Sequence, residues 1–599
     1  MRDASGGYVQ SRQLGARRPV RRGPLLGLAL LVASAAGCSS NGTSPGVAEP
    51  GAVSGSTTTT EALRPGAVAT TRMPVRGGVL SVGVLAAPLG LDPIVAAGDG
   101  AGGGDEMLAI YDSLLRYDPA TGNYEPRLAQ SLTSNADRTV WTITLRSGVL
   151  FSDGTVFDAE AVKFGLDRHR AGQPGAPACE TLRACPSNAQ ASASSMAFVQ
   201  AIDVTGPLTL NVTLTVPWTD FAWLLATEPG MIPSPTGVRA KCAAERAARP
   251  AECSFNRAPV GAGPFVITSF TPGESTFVSR NDRYWDGAPF LDGVRFSVSA
   301  DAGADKSVDA LTSGALDVAY LRDQRAVVAA LGKRLPGRSI VLDAGATELM
   351  NMGAGGSMPA TRYLRVRQAI AAAIDPSVVQ ERVTGSRAGS SADLFGTTRD
   401  LSPGAPGQVY DPERARALVA EAKSNGWNGK VRYLCDNSPS GQARAIAIET
   451  MLKAVDIEPV IDTTKDAAGV GNVLAVTKDF DLVCASLGFV ADAASGKSDG
   501  STLAALTRQL VSTSTTNAIG WQNSRVDAAV LALRAARTES ERRQATQVIV
   551  EESVIDVPFV VTGAPQLYVA YTTKVRGVLA TAGSRVLLDD AWLASTPSG

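Results

Sequence analysis

The stretch of residues 131–165 limits the fold of this chain more than any other segment does. In TVWTITL, residues 139–145, tryptophan, isoleucine and leucine alternate with threonine, which predicts a strand with one buried face. Asp153 and Gly154 follow as a turn signal, and Asp158 stands where a helix N-cap belongs. A strand, a turn and a helix in close succession predict a sheet with a helix beside it, a scaffold that occurs in many folds.

Later segments predict amphipathic helices. Val366, Ile370 and Ile374 are spaced by four residues and form one apolar stripe of a helix. Asp411 and Pro412 are typical of an N-cap followed by the first helical residue. Such helices support a fold and do not by themselves indicate ligand chemistry.

Composition and motifs argue against catalytic and nucleic-acid functions. The chain has 599 residues, enough for several domains, and its 56 Lys+Arg against 57 Asp+Glu leave no basic excess for a nucleic-acid partner. The single histidine, His169, excludes a multi-histidine metal site and is predicted to be a solvated side chain at a helix end. The sequence contains no H-E-x-x-H or P-loop motif, and a Ser/His/Asp relay would depend wholly on His169, so an enzyme, a bound metal and a cofactor are not expected.

The N-terminus is predicted to be a targeting segment. Arginines precede the apolar run 24–36, and small residues then lead to Cys38. This ending resembles a bacterial lipobox, with Ala35 where leucine is usual, and implies acylation of Cys38; ordinary signal-peptidase cleavage nearby is the alternative. Residues 39–78 contain no aromatic side chain and predict a flexible tether. No other segment reaches about 18 uninterrupted apolar residues, so lipid alone is expected to hold the protein at the membrane.

Cysteine usage is consistent with export. Seven cysteines are present, and removing Cys38 leaves six, an even number that predicts disulfide bonds in an oxidising compartment. Six cysteines allow fifteen pairings. The pairings favoured by sequence separation are Cys179–Cys185, Cys242–Cys253 and, by what remains, Cys435–Cys484.

The stretch YEPRLAQSLTSNADRTVWTITLRSGVLFSDG resembles the signature of the family 5 extracellular solute-binding proteins, the peptide- and nickel-type receptors of ATP-driven importers. The positions that match the family pattern are Glu125, Pro126, Leu128, Ala129, Ser131, Trp141, Thr142, Leu145, Arg146, Gly148, Val149, Phe151, Asp153 and Gly154. Further matching segments follow in the family's order, among them APVGAGPF, ALTSGALDVAY, RVRQAIAAAID and YDPERARALVAEA. The resemblance runs from about residue 79 to about residue 560.

The resemblance implies an α/β, two-lobed periplasmic-binding-protein-like fold of type II, in the large peptide-receptor class, with hinge strands and an interlobe cleft. The expected divisions are a signal peptide at 1–37, a lipid-anchored tether at 38–78, lobe I at 79–345 with a subdomain at about 119–250, lobe II at 346–560, and a return to lobe I at 561–599.

One ligand site is implied by the resemblance. Peptide-binding members carry a strand-exit motif G-W-x-A-D-Y-x-x-P, whose aspartate accepts the ligand's α-ammonium group. The corresponding run here is Gly488 to Asp492, with Phe489 in place of tryptophan, and the tyrosine and proline are missing. Asp492 is therefore the expected ammonium acceptor and Phe489 the expected lining of an apolar pocket. The alternative is that Asp492 caps a turn.

The function implied is a transport receptor. It would capture a solute, with an oligo- or dipeptide expected first, and deliver it to a membrane permease and its ATPase. The protein is expected to be a monomer, lipid-anchored at the outer face of the cytoplasmic membrane. The alternatives are an envelope lipoprotein that uses the same fold as a sensor or scaffold, and a receptor for a non-peptide ligand such as a metal chelate.

Overall fold

The structure is a computed structural model that describes residues 73–96, 100–185, 196–298 and 303–594. These residues belong to one compact unit, Leu63–Gly599. The predicted signal peptide, Cys38 and most of the predicted tether lie outside the described residues.

The described residues form strands and helices throughout. The strands are β1 Val79–Val84, β2 Leu115–Asp118, β3 Asn123–Pro126, β4 Ala129–Ser134, β5 Val140–Leu145, β6 Val199–Gly206, β7 Thr209–Leu214, β8 Phe265–Thr271, β9 Ser275–Arg280, β10 Gly293–Val298, β11 Val318–Leu321, β12 Gly337–Asp343, β13 Ala346–Met350, β14 Lys430–Asp436, β15 Glu458–Lys465, β16 Leu482–Ala485, β17 Phe489–Asp492, β18 Phe559–Gly563, β19 Gln566–Tyr571, β20 Val575–Arg576, β21 Leu579–Ala580, β22 Val586–Leu587 and β23 Trp592–Leu593. The α-helices are α1 Gly104–Tyr111, α2 Ala159–His169, α3 Cys179–Leu182, α4 Ala222–Leu225, α5 Pro235–Lys241, α6 Gly303–Ser313, α7 Gln324–Gly332, α8 Leu364–Ala373, α9 Pro376–Thr384, α10 Pro412–Ser424, α11 Pro439–Lys453, α12 Ala467–Asn472, α13 Ser501–Gln509, α14 Ser524–Ala535 and α15 Glu539–Asp556.

Two sheets organise the molecule into two lobes. The eight-stranded sheet of lobe I has the order β17-β12-β19-β11-β1-β10-β9-β8, and the five-stranded sheet of lobe II has the order β15-β14-β16-β13-β18. A separate four-stranded sheet, β4-β5-β7-β6, belongs to the segment predicted as a subdomain. The predicted mixed α/β architecture is confirmed.

The strand–turn–helix stretch folds as its residue pattern predicts. Trp141, Ile143 and Leu145 of β5 are buried and alternate with half-buried neighbours. Asp158 caps α2 because its carboxylate accepts a hydrogen bond from the N–H of Ala161 at 2.9 Å. The predicted helix caps at Asp375 and Asp411 are also present, each with proline at the first helical position.

Three short segments connect the two sheets. They are residues 344–345, 486–488 and 564–565, and they lead from β12 to β13, from β16 to β17 and from β18 to β19. The connected strands occupy matching positions in the two sheets. In the eight-stranded sheet β12 lies between β17 and β19, and in the five-stranded sheet β13 lies between β16 and β18. The three segments therefore form a hinge of adjacent chains. The predicted lobe boundaries stay a prediction. Strand β17 falls in the range predicted for lobe II but pairs with β12 in the sheet of lobe I.

Two of the three predicted disulfide bonds are present, Cys242–Cys253 and Cys435–Cys484. The third prediction is corrected, because no bond joins Cys179 to Cys185. The one-turn helix α3 and the left-handed Arg183, at φ 53°, set the two thiols side by side instead. Together with Glu180 their ligand atoms lie within 4.8 Å of one another, and this is a group that could hold a metal ion.

The prediction for His169 is wrong. Its side chain is 2% exposed and lies at the end of α2 beside Arg168. Burial and the charge of Arg168 lower the pKa of His169 to about 3, so the imidazole is neutral at pH 7. The charged neighbours suggested a solvated site, but Arg168 is itself buried and forms a bidentate ion pair with Asp92, at 2.7 and 2.8 Å.

No helix of the described residues has the length and apolar character needed to cross a membrane.

Candidate functional site

Asp492 lies at the end of β17 with both carboxylate oxygens engaged. Oδ1 accepts hydrogen bonds from the N–H groups of Ala494 and Ser495 at 3.1 and 2.8 Å. Oδ2 accepts one from Arg338 Nε on the neighbouring β12 at 2.9 Å, and Asp492 is 8% exposed. Asp492 therefore caps its own turn and forms an ion pair across the sheet. Its predicted role as an ammonium acceptor stays a prediction.

Phe489, the second predicted ligand residue, is fully buried. Its ring stacks on that of Phe395 with centroids 5.3 Å apart. A side chain without exposed surface meets a ligand only after its neighbours move, so its predicted role in lining a pocket also stays a prediction.

The β2–β3 hairpin binds the loop that precedes α13. Tyr117 donates a hydrogen bond to the carbonyl of Ser498, and Tyr124 donates one to that of Asp499, both at 2.8 Å. The two rings lie 5.3 Å apart. Burial, followed by the charges of Asp499 and Asp400, raises the pKa of Tyr117. The hydroxyl therefore stays protonated and acts as a donor.

Asp499 joins two further segments to this loop. Its carboxylate accepts hydrogen bonds from the N–H of Ser501 at 2.9 Å and from the N–H of Gly583 at 2.6 Å. Trp223 of α4 packs on Gly500, where an added Cβ would lie 2.9 Å from the Cβ of Trp223. Gly500 also has φ +84°, so this close approach depends on glycine. The name polar seam is used below for Tyr117, Tyr124, Trp223, residues 498–501 and residues 583–584.

Charged side chains continue the polar seam. Glu228, in the 3₁₀ turn Glu228–Gly230, forms an ion pair with Arg585. Desolvation lowers the pKa of Arg508, on α13, and the charge of Glu228 partly offsets this effect by raising it. Arg508 is nevertheless exposed.

Several polar atoms of the polar seam lack a partner. Trp223 Nε1, Ser501 Oγ and Ser584 Oγ are buried and form no hydrogen bond with another described residue. Buried polar atoms in folded proteins are normally paired, so atoms of this kind are expected where a ligand or water belongs. Sequence reasoning missed them because serine and tryptophan carry no signal of this role.

Glu106, on α1, is a second unusual acid. It is fully buried, and neither carboxylate oxygen has a partner among the described residues. Burial and the charge of Asp105 raise its pKa to about 8. Glu106 is therefore mostly protonated at pH 7.

A cation–aromatic contact also joins the two lobes. Arg534 of α14 lies over the rings of Phe198 and Trp218, 3.9 and 4.5 Å from their centroids. The N–H of Thr219 donates to the carbonyl of Arg534 at 2.9 Å. α14 packs on α15, which is bound to lobe II through Arg367 Nε and the carbonyl of Asp556 at 2.8 Å.

The sequence profile of the bacterial extracellular solute-binding proteins, family 5 (middle region), matches residues 123–503, more than half of the chain. The chain belongs to this family. The resemblance stated from the sequence is thereby confirmed, and so is the two-lobed fold of these receptors.

Two relatives illustrate the similarity. The nickel-binding periplasmic protein of Escherichia coli K12 is 26% identical over 323 residues, which cover 53% of this chain and 56% of that protein. The chain thus spans little more than half the length of that relative. A putative ABC transporter peptide-binding protein of Brucella ovis is 24% identical over 436 residues, covering 68% and 78% of the two chains.

Solved structures share the fold. The oligopeptide-binding protein AppA of Bacillus subtilis, solved with a nonapeptide, superposes with a TM-score of 0.68 at 18% identity. The superposition covers 87% of this chain and all of AppA. At this identity the comparison establishes the fold alone.

Proposed function

We propose that this family 5 protein is the solute receptor of an ABC importer, which captures a small solute between its lobes and delivers it to a membrane permease and its ATPase. The observation that carries the proposal is the hinge of three adjacent connections beside a polar seam with unpaired buried donors. Such a hinge lets two lobes close on a ligand without changing their interiors. The unpaired donors supply polar groups that a ligand can satisfy.

A peptide is the proposed ligand. Support comes from the Brucella ovis relative, whose name describes peptide binding, and from the family match over residues 123–503. The ion pair of Asp492 with Arg338 is a specific observation that favours a second candidate, a solute without an ammonium group at this position. The two candidates differ in the charge of the ligand's end and not in the transport role.

The ligand can be identified directly. The protein is purified without denaturation, and the small molecules released on unfolding are analysed by mass spectrometry. We expect peptides at near-stoichiometric amounts, and calorimetric titration of a synthetic tripeptide library against the emptied protein should give saturable binding. A protein that releases no solute and binds neither peptides nor other small solutes would contradict a transport receptor and favour a scaffold.

We also propose export and lipid anchoring through Cys38. The support is the sequence pattern of residues 24–38, which lie outside the described residues. Replacing Cys38 with serine should release the protein from the membrane into the soluble fraction, as measured by fractionation and blotting. The Cys179→Ser variant is the control that should stay with membranes, and equal membrane retention of both variants would refute the anchor.

A further inference from the structure

We propose that Cys179, Glu180 and Cys185 form a binding site for a thiophilic divalent metal ion such as Zn²⁺. Their three ligand atoms, two sulfurs and one carboxylate oxygen, lie within 4.8 Å of one another. The site contains no residue of the polar seam and is separate from the proposed receptor function. A metal was not expected because the chain has a single histidine, but this site uses none.

A short turn brings the two cysteines together. The carbonyl of Cys179, at the start of α3, accepts hydrogen bonds from the N–H groups of Arg183 and Ala184. Arg183 has φ 53°, the left-handed conformation that ends a helix, so the chain reverses after one turn. Cys185 is thereby returned to the side of Cys179.

The turn is fixed to the surrounding protein on two sides. Arg168 Nε, on α2, donates a hydrogen bond to the carbonyl of Leu182 at 3.1 Å. The N–H of Cys185 donates one to the carbonyl of Ala247 at 2.8 Å. Leu182 and Ala184 are buried, so the turn is held by packing as well. Ligands on a turn fixed in this way are positioned before an ion binds, which lowers the cost of ordering them.

The ligand side chains are accessible to solvent. Cys179 and Cys185 are half-buried, and Glu180 is exposed. The guanidinium of Arg183 donates to the backbone carbonyl of Glu180 at 2.5 Å, and the Glu180 carboxylate forms no ion pair with another described residue. An ion can therefore reach all three ligands without unfolding the turn.

The donor set fits a zinc-like ion. Thiolates bind Zn²⁺ at about 2.3 Å and carboxylate oxygens at about 2.0–2.2 Å, so the ligand atoms of a tetrahedral site lie about 3.5–3.8 Å apart. Movements of about 1 Å or less convert the present arrangement into that geometry. Sulfur ligands disfavour Mg²⁺ and Ca²⁺, which prefer oxygen. Three protein ligands leave the fourth position to a water molecule.

A disulfide bond is the other use of two adjacent thiols. It would join the sulfurs and leave Glu180 without a role, whereas a metal ion uses all three ligands. The other four cysteines of the described residues are already joined in two disulfide bonds, and no such bond joins Cys179 to Cys185. Metal binding needs no oxidant, because the ion replaces the two thiol protons and these pass to solvent.

Metal titration tests the site directly. The full chain with Cys38→Ser lacks the one further thiol, and it is reduced under conditions that leave the two disulfide bonds intact and then freed of metal with a chelator. Calorimetric titration with zinc chloride should show one equivalent bound, and an excess of Mg²⁺ or Ca²⁺ should not compete. Co²⁺ in place of Zn²⁺ should give sulfur-to-cobalt charge-transfer absorption and the strong visible bands of a tetrahedral site.

Four variants assign the ligands. Cys179→Ser and Cys185→Ser should each weaken zinc binding at least about 100-fold. Glu180→Gln should weaken it about tenfold and shift the visible Co²⁺ bands while the charge-transfer absorption remains. Glu245→Gln, an exposed glutamate of the 3₁₀ turn Ala244–Arg246, is the matched control and should bind as wild type does. Zinc should raise the melting temperature of the parent protein and of this control. Metal-free melting temperatures identify any variant that fails to fold.

The state of the site in the exported protein completes the test. Protein isolated from the envelope without reductant should contain about one zinc ion per chain, with both thiols labelled by a thiol reagent only after the metal is removed. A Cys179–Cys185 disulfide without bound metal overturns the proposal, as does a reduced protein that binds no zinc or zinc binding that persists in both cysteine variants. None of these results affects solute binding, so the receptor function is tested separately.

Discussion

At the scale of single residues, Glu106 shows how strongly burial acts on charge in this molecule. Its folded-state pKa of about 8 lies above the ordinary value of 4.5, so the native state holds the proton more tightly than the unfolded chain does. The stability that the protonated group contributes is complete below pH 4.5 and is lost as the pH rises through 8. Glu106→Gln, which cannot ionise, should therefore be more stable than wild type at pH 9 by about 2–5 kcal/mol.

Urea unfolding at pH 4.5, 7 and 9 measures this effect. The two proteins should be close in stability at pH 4.5 and should diverge as the pH increases. A parallel pH dependence of wild type and variant would contradict the raised pKa of Glu106.

Asp492 is the residue at which the sequence and the structure suggest different roles. Asp492→Asn removes the charge that pairs with Arg338, and we expect a loss of about 1–3 kcal/mol in the free energy of unfolding. If Asp492 also accepts a peptide ammonium group, the variant should bind free tripeptides at least about tenfold more weakly while binding N-acetylated ones as wild type does.

The comparison of free and acetylated peptides decides between these roles. A purely structural role lowers the melting temperature and affects both ligand classes alike. Unchanged affinity of Asp492→Asn for free tripeptides would reject the ammonium site derived from the family resemblance.

At the scale of elements, the Cys435–Cys484 disulfide fastens two parallel strands of lobe II. β14 and β16 pair at Tyr433 with Leu482 and at Leu434 with Val483, so the two cysteines follow in register. The cysteines are 49 residues apart, and closing a loop of that size stabilises the fold by roughly 4 kcal/mol in the chain-entropy model.

Replacing both Cys435 and Cys484 with serine should therefore lower the free energy of unfolding by about 2–4 kcal/mol. Urea denaturation without reductant measures the loss. The double variant Cys179→Ser and Cys185→Ser is the matched control, and it should lose much less because the structure contains no bond there. Equal losses in the two variants would contradict this assignment of the disulfide bonds.

At the scale of the whole molecule, Arg534 is the contact most suited to hold the lobes together. Its side chain is 3% exposed between two aromatic rings, and burial lowers its pKa to about 10, so it remains charged at pH 7. Cation–π contacts in a desolvated setting contribute about 2 kcal/mol each. The backbone carbonyl of Arg534, near the end of α14, also accepts a hydrogen bond from the N–H of Thr219.

Arg534→Ala should shift the protein toward an open form. Small-angle X-ray scattering of the solute-free variant should give a larger radius of gyration than wild type, and solute affinity should fall because closing costs more. Arg414→Ala, whose side chain is exposed on α10, is the control. An unchanged radius together with unchanged affinity would show that Arg534 does not control closure.

Local sequence patterns were sufficient for much of the fold. The alternation around Trp141, the cap at Asp158 and the Asp-Pro starts of α9 and α10 depend on neighbours within a few residues, and all are present. Sequence separation predicted the Cys242–Cys253 bond, and Cys435–Cys484 followed as the remaining pair. The ordered series of family segments also determined the two-lobed fold, because each segment encodes an element whose place in that fold is known.

The environment of side chains was decided only by tertiary structure. His169 and Phe489 lie in the core, and Asp492 is occupied by Arg338, because burial and ion pairing depend on elements far away in the chain. The polar seam likewise joins residues near 117, 223, 499 and 583. Backbone pattern is set by short-range sterics and hydrogen bonding, so the sequence determined the elements. Charge state and partner choice are set by distances across the folded chain, so only the packed structure determined the candidate site.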